Sequence, residues 1–440
     1  MDILKRNRYN GSRMKKHLIL SVVLLAIAAV FSLCGRHAAQ QHAAQKKDGV
    51  EIVFYYPTQA GGSLARDMEA ITAGFNAANN SGITVIPVYS GNYKQTAQKA
   101  LAGIAAGSGP QVVLSGMLDI VDYYEAGAVQ NINSYIEAEG TAWRDDFISG
   151  FWDSFIFGDN GVYGLPFQHS VCVLYYNKDM LKAAGMETPP AGRAGMLQAA
   201  AALKKRRRDI VPLEFPADVW VLENLVLSTG GALVTAGRQP NFDSPEAAAS
   251  LDFLSQLVAA GAMIQGWAAA AEDFAAESCA MMFNTTANLG FIAGAASFNW
   301  GIALMPSETT PALSYGGGGL IMIAGQPEAQ ASASWEFMKY LTSPDVSARW
   351  MAASGYFAVR KSAENLEPAQ QYYAANPQSI QAAALLEYIR PQWNIAHYWD
   401  IYAVMQLALD DVLTGKKTGA AAALSGVQAG AESLLGLRSK

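Results

Sequence analysis

From residue 50 onward the hydrophobic positions follow two rhythms in turn. Residues 50–56 (VEIVFYY), 83–89 (ITVIPVY) and 111–115 (QVVLS) are short runs rich in β-branched and aromatic residues, set off by Gly, Ser and Asn, and they predict strands. Between them, residues 64–79 and the stretch beyond Tyr93 place apolar residues three and four apart, the spacing of a helix with one buried face. Strand, helix, strand, helix, strand implies a parallel sheet wound by right-handed crossovers. Ligands of such sheets bind beyond the carboxyl ends of the strands.

Residues 165–179 (LPFQHSVCVLYYNKD) gather the letters of a hydrolase: His169, Ser170, Cys172 and Asp179. Their alternation argues otherwise. Ser170, Cys172, Leu174 and Tyr176 fall on one face and Val171, Val173 and Tyr175 on the other, so both faces are apolar and the strand is buried. His169 and Cys172 then point to opposite sides, as do His169 and Ser170, and no catalytic dyad forms on an extended strand. Asn177 predicts a cap for a helix that ends at Gly185. Further on come Ala-rich helices, a segment around Trp220, and a helix opened by Ser244-Pro245-Glu246. A strand over residues 279–283 runs into Asn284-Thr285-Thr286. Two more follow, in NWGIALMP (299–306) and after the glycines 316–319, and the tail is helical.

The front of the chain has a different character. Six basic residues between Lys5 and Lys16 precede an apolar run over 18–33, closed by Cys34-Gly35. This reads as a secretory leader, with Cys34 as a lipidation site of the bacterial lipoprotein kind; the alternatives are a leader cut elsewhere or one kept as an anchor. The stretch 34–48, with its repeated His-Ala-Ala-Gln, suits a tether. The expected location is the periplasm or cell envelope, exported and lipid-anchored.

The formal charge is −6; residues 1–33 hold six basic residues against Asp2, which leaves −11 for the remainder. An acidic body argues against nucleic acid as a partner. The basic run 204–208 follows an Ala-rich helical segment and reads as a solvated helix end. With 51% hydrophobic and 15% charged residues, the roughly 400 residues behind the leader are globular and long enough for two domains or three. Cys172 and Cys279 sit in apolar strand-like runs and read as buried free thiols, with a bridge left open.

Catalytic chemistry is poorly supplied. Of five histidines only His169 and His397 lie in the body, and no zinc signature, phosphate loop or nucleophile elbow appears. The glycine run precedes a strand, whereas a dinucleotide fingerprint follows one. Neither a metal nor a cofactor is expected, and no enzyme.

Several segments together resemble a family. GFNAAN (74–79), YSGNYKQ (89–95), LPFQHSVCVLYYNKDMLKAAG (165–185), CAMMF (279–283) with FNWGIALMP (298–306), SGYFAVRKSA (354–363) and LTGKKT (413–418) are similar to the extracytoplasmic solute-binding proteins of bacterial ABC importers, family 1, the large sugar-binding type. GNY and VLYYNKD are most like the subgroup that binds sn-glycerol 3-phosphate and glycerophosphodiesters. The resemblance implies an α/β, two-lobe Venus flytrap, each lobe a wound mixed sheet flanked by helices, with three interlobe crossings near residues 168–172, 283–285 and 317–320. The expected division is a signal sequence over 1–33, a tether over 34–48, an N-terminal lobe of 49–168 with 285–317, and a C-terminal lobe of 169–284 with 318–440. It also implies a monomer whose partners are a small solute and the permease subunits.

Carried over by position, the ligand contacts fall on Tyr93, Ser170, Thr285, Gly317 and Tyr356. The bland reading of the tyrosines is ordinary half-buried aromatics. Two departures stand out. The family's carboxylate after the third strand aligns with Met117, with Asp119 the nearest acid, and its late phosphate-meeting arginine aligns near Tyr402, with Arg390 as a neighbouring substitute. A desolvated dianion without a cation in contact is costly. Trp393, Tyr398, Trp399 and Tyr402 suggest an aromatic wall instead, suited to a quaternary ammonium or a sugar face, and Tyr55 and Tyr56 are further candidates. The expected function is therefore delivery of a glycerophosphodiester such as glycerophosphocholine, or of glycerol 3-phosphate, to an ABC permease. A neutral oligosaccharide is the alternative, and an envelope hydrolase the more distant one.

Overall fold

The computed structural model describes residues 49–57, 62–158, 160–309, 311–390, 395–417 and 419–437. Cys34, the leader, the tether and Trp393 lie outside the described residues. Glu51–Asn79 with Thr84–Lys440 form one compact unit. Val50 and Asn80–Ile83 belong to a separate small one, within which Val50 N–H donates to the Gly82 carbonyl at 3.1 Å. The larger unit carries everything that follows.

Its strands, in chain order, are β1 Val50–Pro57, β2 Ile83–Gly91, β3 Val112–Gly116, β4 Ile156–Phe157, β5 Gly161–Val162, β6 Leu165–Asn177, β7 Glu214–Phe215, β8 Met263–Ile264, β9 Met281–Thr285, β10 Trp300–Ala303, β11 Leu313–Met322 and β12 Ile389–Arg390. The main sheet runs β2-β1-β3-β11-β6-β9-β7-β8, with β10 beside β6 and β12 beside β11; β4 and β5 form a hairpin of their own. β1 is parallel to β3, as the strand–helix alternation predicts. β11 enters antiparallel between β3 and β6.

The stretch with the hydrolase letters is a strand that changes partners partway along. Residues 165–171 pair with β11, whereas residues 172–176 pair with β9, and 174–177 pair with β10. Along β6 only Tyr176 is more than marginally exposed, as its two apolar faces require. His169 is wholly buried and its ring stacks on Phe151 at 4.3 Å. Burial holds its imidazole neutral, with a pKa depressed to about 3 against a weaker opposing contact from the Gly316 backbone.

The pairing corrects the expected lobe boundaries. Residues 300–303 pair with 174–177, so they group with the second half of β6 and not with the first part of the chain. Residues 318–322 pair with β3, and Phe337, in the helix Glu328–Leu341 that follows, meets Phe54 and Phe75 at 5.1 and 5.2 Å. A second core runs through Cys172, Leu174, Phe215, Leu222, Leu254, Phe283 and Met305, and takes in Ile401, Leu409 and Val427 of the two last helices.

The glycine run lies inside β11 rather than ahead of it. Passing a strand between β3 and β6 at this point leaves no room for side chains. A β-carbon on Gly318 would collide with the Ser115 carbonyl oxygen, and one on Gly319 would sit 2.5 Å from the Leu165 carbonyl oxygen. At Gly317 φ is +112°, a region closed to L side chains, and a β-carbon would strike the Gln168 carbonyl.

Local signals hold where the chain caps itself. Asn177 accepts from Met180 N–H at 2.9 Å at the start of helix Lys178–Ala183, and Ser244 caps helix Pro245–Ala259. The basic residues 204–206 occupy the last turn of helix Arg193–Arg206. Cys172 and Cys279 are buried and unpaired. Gly317→Ala should cost about 2 kcal/mol or more in urea unfolding, combining strain with collision. Gly294→Ala, in helix Leu289–Ala295 with open space around it, should be neutral or stabilising by up to about 1 kcal/mol. Equal effects of the two would refute the steric account of the run.

Candidate functional site

At the place where β6 changes partners lies a cavity of about 560 Å³, lined on one side by Tyr93, Met117, Asp119 and Tyr356 and on the other by Asp218, Trp220, Trp267, Trp399 and Tyr402, with Ser170, Thr285, Asn288 and Gly317 between them. Each lining residue has a local cause. Gly91, at φ +108°, turns the chain out of β2, and Asn92 then caps helix Tyr93–Ala105. The capping box is reciprocal: Asn92 Oδ1 accepts from Gln95 N–H at 2.9 Å, and Gln95 Oε1 accepts from Asn92 N–H at 3.0 Å. Tyr93 is thereby held at the first helical position, and its hydroxyl meets the Gln168 side-chain amide.

Ser170 and Thr285 face the cavity where the β6–β9 ladder ends, with Cys172 opposite Thr285 in register. Gly316 lies across from Ser170 and Gly317 from His169. Tyr356 follows Gly355, whose left-handed conformation ends helix Pro344–Ser354 and which packs against Ala287. The segment carrying Tyr356 is anchored further on by Arg360. This buried guanidinium donates to the Thr342 carbonyl at 2.8 Å and to the Trp143 carbonyl at 2.5 Å, and stacks over Phe147 at 3.6 Å.

The wall opposite is aromatic. Tyr398, Trp399 and Tyr402 open helix Tyr398–Leu413, with ring centroids 5.1 to 5.7 Å apart. Asp218 holds this wall together. As N-cap of helix Val219–Leu227 it accepts from Trp220 N–H at 2.8 Å, from the Trp267 indole N–H at 3.2 Å and from the Tyr402 hydroxyl. The Trp220 indole in turn donates to Ser314 Oγ at 2.8 Å.

Asp119 is the other carboxylate of the lining, 1% exposed. Its Oδ1 receives the Trp399 indole N–H, while Oδ2 has no partner among the described residues. Burial pushes its pKa up to about 8, against the lowering effect of the Trp399 hydrogen bond. Burial likewise raises Tyr93 well above its ordinary value and Tyr356 to about 12, so both hydroxyls remain protonated donors at neutral pH. No Lys, Arg or His lines the cavity among the described residues. Lys94 lies 5.7 Å from the Trp399 ring and is not part of the lining.

Of the candidates read from the sequence, Tyr93, Met117, Asp119, Ser170, Thr285, Gly317, Tyr356, Tyr398, Trp399 and Tyr402 come together here. Tyr55 and Tyr56 do not line the cavity. Tyr56 is buried under β2, its ring beside Tyr89 and its hydroxyl donating to Glu69 at 3.1 Å. Arg390 is exposed in β12, donates to its neighbour's carbonyl, and supplies no cation to the lining. Asp218, Trp220, Trp267 and Asn288 were not anticipated as site residues. The one readable signal was Asp218 as a cap before an apolar helix. Among the described residues no three His, Cys, Asp or Glu side chains converge on a metal position.

Comparison with known proteins agrees with this architecture. The family described as bacterial extracellular solute-binding protein matches residues 70–379. The chain is 24% identical over 395 residues to the sn-glycerol-3-phosphate-binding periplasmic protein UgpB of Escherichia coli (strain K12), covering 83% of this chain and 88% of that one. Among solved structures it is similar to UgpB from Mycobacterium tuberculosis in complex with glycerophosphocholine, at TM-score 0.75 and 20% identity over 88% of this chain and 98% of the other. It is equally similar to the ABC substrate-binding protein Lmo0181 from Listeria monocytogenes in complex with cycloalternan, at TM-score 0.75 and 19% identity over 88% and 99%. An α/β fold of the periplasmic-binding-protein kind, matched along most of its length and without an assembled catalytic group, belongs to the bacterial extracellular solute-binding proteins, the non-enzymatic components that capture a small solute for an ABC importer.

Proposed function

We propose that the cavity captures a glycerophosphodiester with a cationic head group, of which glycerophosphocholine is the simplest. The carrying observation is the charge of the lining: two carboxylates and three tryptophans, with no basic side chain among the described residues. A phosphomonoester dianion would enter that cavity without a counter-charge. A zwitterionic diester brings its own, its ammonium resting on the aromatic faces near Asp119 while the hydroxyls of Tyr93, Ser170, Thr285 and Tyr356 donate to its phosphate and glycerol oxygens. The relatives named for glycerol 3-phosphate and bound to glycerophosphocholine support the same solute class.

In this reading the body is two lobes. One is built on β1–β3 with the second half of β11 and the helices after it; the other is built on the second half of β6 with β7–β10 and the two last helices. The indole of Trp399 reaching Asp119, and His397 N–H reaching Asp122 Oδ1 at 3.2 Å, are contacts from one lobe to the other. Closure about the partner change in β6 would present the loaded form to the permease. The second reading, a neutral oligosaccharide, is supported by the tryptophan faces and by the relative bound to cycloalternan.

Thermal unfolding with glycerophosphocholine, glycerol 3-phosphate and maltooligosaccharides ranks the three. Glycerophosphocholine at about 100 times its Kd should stabilise by about 2.7 kcal/mol, and Trp399→Ala should weaken it about tenfold or more. A shift with maltooligosaccharides alone would transfer the protein to the second reading.

The titration of Asp119 gives a sharper test. With a pKa near 8 in the empty cavity, the carboxyl is mostly protonated at neutral pH. An adjacent ammonium favours the carboxylate, so binding releases a proton. Affinity for glycerophosphocholine should therefore rise between about pH 6.5 and 9 and level off above the pKa. Calorimetry across that range should show the rise in the wild type and a flat profile in Asp119→Asn; a flat wild-type profile would remove Asp119 from the ammonium's side.

A further inference from the structure

Away from the solute cavity, beneath the end of the second sheet region, a smaller cavity of about 350 Å³ is lined by Arg207, Asp209, Glu214, Asp273 and Glu277, among others. Its floor is unusual. Glu214 sits on β7, between β8 and β9, with a relative exposure of 0%, yet neither carboxylate oxygen has a hydrogen-bond partner among the described residues. A buried, unpartnered carboxylate is among the costliest groups a fold can carry.

What stands beside it compounds the cost. The Asp273 carboxyl lies alongside, its Oδ2 taking an amide hydrogen bond from Gln265 at 3.2 Å. Burial, and after it the Asp273 charge, raises the Glu214 pKa to about 7. Glu277 and Asp209 stand at the rim, both exposed. The basic residue of the lining, Arg207, is engaged with Asp209 at 2.7 Å.

We propose that Glu214 and Asp273 bind a divalent cation in this cavity. Two carboxylates from one buried pocket neutralise one divalent ion, and the ion supplies the counter-charge that Glu214 lacks. Since no third His, Cys, Asp or Glu converges among the described residues, the remaining positions go to water and backbone oxygen. That is the coordination of a hard, partly hydrated ion such as Mg²⁺, with Ca²⁺ the larger competitor. The site is distinct from the solute cavity but joined to it by one element: helix Trp267–Ala275 carries the cavity's Trp267 at its first residue and Asp273 near its end. An ion bridging Asp273 to Glu214 holds that helix against β7.

Thermal unfolding of the purified protein after EDTA treatment, in MgCl₂, CaCl₂ or NaCl at matched ionic strength, tests the proposal. A divalent salt should raise the wild-type midpoint by about 2 °C or more over NaCl, and Glu214→Gln, which keeps the side chain's size and removes its charge, should abolish that rise. Equal midpoints in all three salts, or a full rise retained by Glu214→Gln, would overturn it and leave a shared proton between the two carboxyls. Should the variant not fold, titration calorimetry of the wild type with MgCl₂ and CaCl₂ decides: saturable binding supports the site, and its absence refutes it.

Discussion

The close passage of β11 between β3 and β6 is the constraint from which the site follows. Three backbones meet there at distances that exclude β-carbons, which is why residues 316–319 are glycine. Glycine is a poor strand former on conformational grounds, so the run marks a place where packing overrides propensity. The same passage leaves β6 free of β11 beyond Val171, where β9 takes over its edge. Ser170, Thr285 and Gly317 stand at that handover, and the cavity opens beside it. A strand paired along its whole length with one neighbour would have closed this space with side chains.

Around the handover the cavity is finished by helix starts. Tyr93, Trp220, Trp267, Tyr398 and Trp399 all lie in the first turn of a helix, and Tyr402 one turn further on. A helix N-terminus ordinarily favours anions, yet here those first turns present aromatic rings, and Asp218, the N-cap of one of them, is occupied by three donors. The result is a pocket whose donors are hydroxyls and indoles. Its selectivity must rest on aromatic area and on carboxylate charge, because the cations that a phosphate site normally supplies are not among its described residues.

Much of this was legible in the sequence, for different reasons at different places. Alternation alone placed residues 170–176 in a buried strand and removed the histidine from catalysis, and capping chemistry placed Asn177 and Ser244 correctly. The gathering of Tyr93, Thr285 and Tyr356 was not derivable from periodicity; it came from the resemblance to solute-binding proteins. The lobe boundaries failed because a strand's partner is not written in its own pattern: residues 300–303 and 318–322 look alike as apolar runs, yet one joins the second half of β6 and the other joins β3. Tyr55 and Tyr56 failed because β1 is separated by β3 from the glycine crossing, so the end of that strand does not reach the cavity. Trp267 was invisible for the same reason that it matters: it reaches Asp218 across a sequence separation of 49 residues.

The two carboxylates of the cavity illustrate how environment divides roles between like groups. Asp218 has its oxygens taken by a backbone N–H, an indole and a phenol, so its charge is spent within the protein and its work is to align Trp220, Trp267 and Tyr402. Asp119 has one oxygen held by Trp399 and the other open among the described residues, in a place where burial alone keeps it protonated near neutrality. A solute that carries positive charge into the cavity releases that proton and completes the second oxygen's coordination at once. A neutral solute can only accept a hydrogen bond from the protonated form. The cavity therefore distinguishes its guests by the protonation of a single side chain, and the aromatic wall, which would welcome either, sets only where they sit.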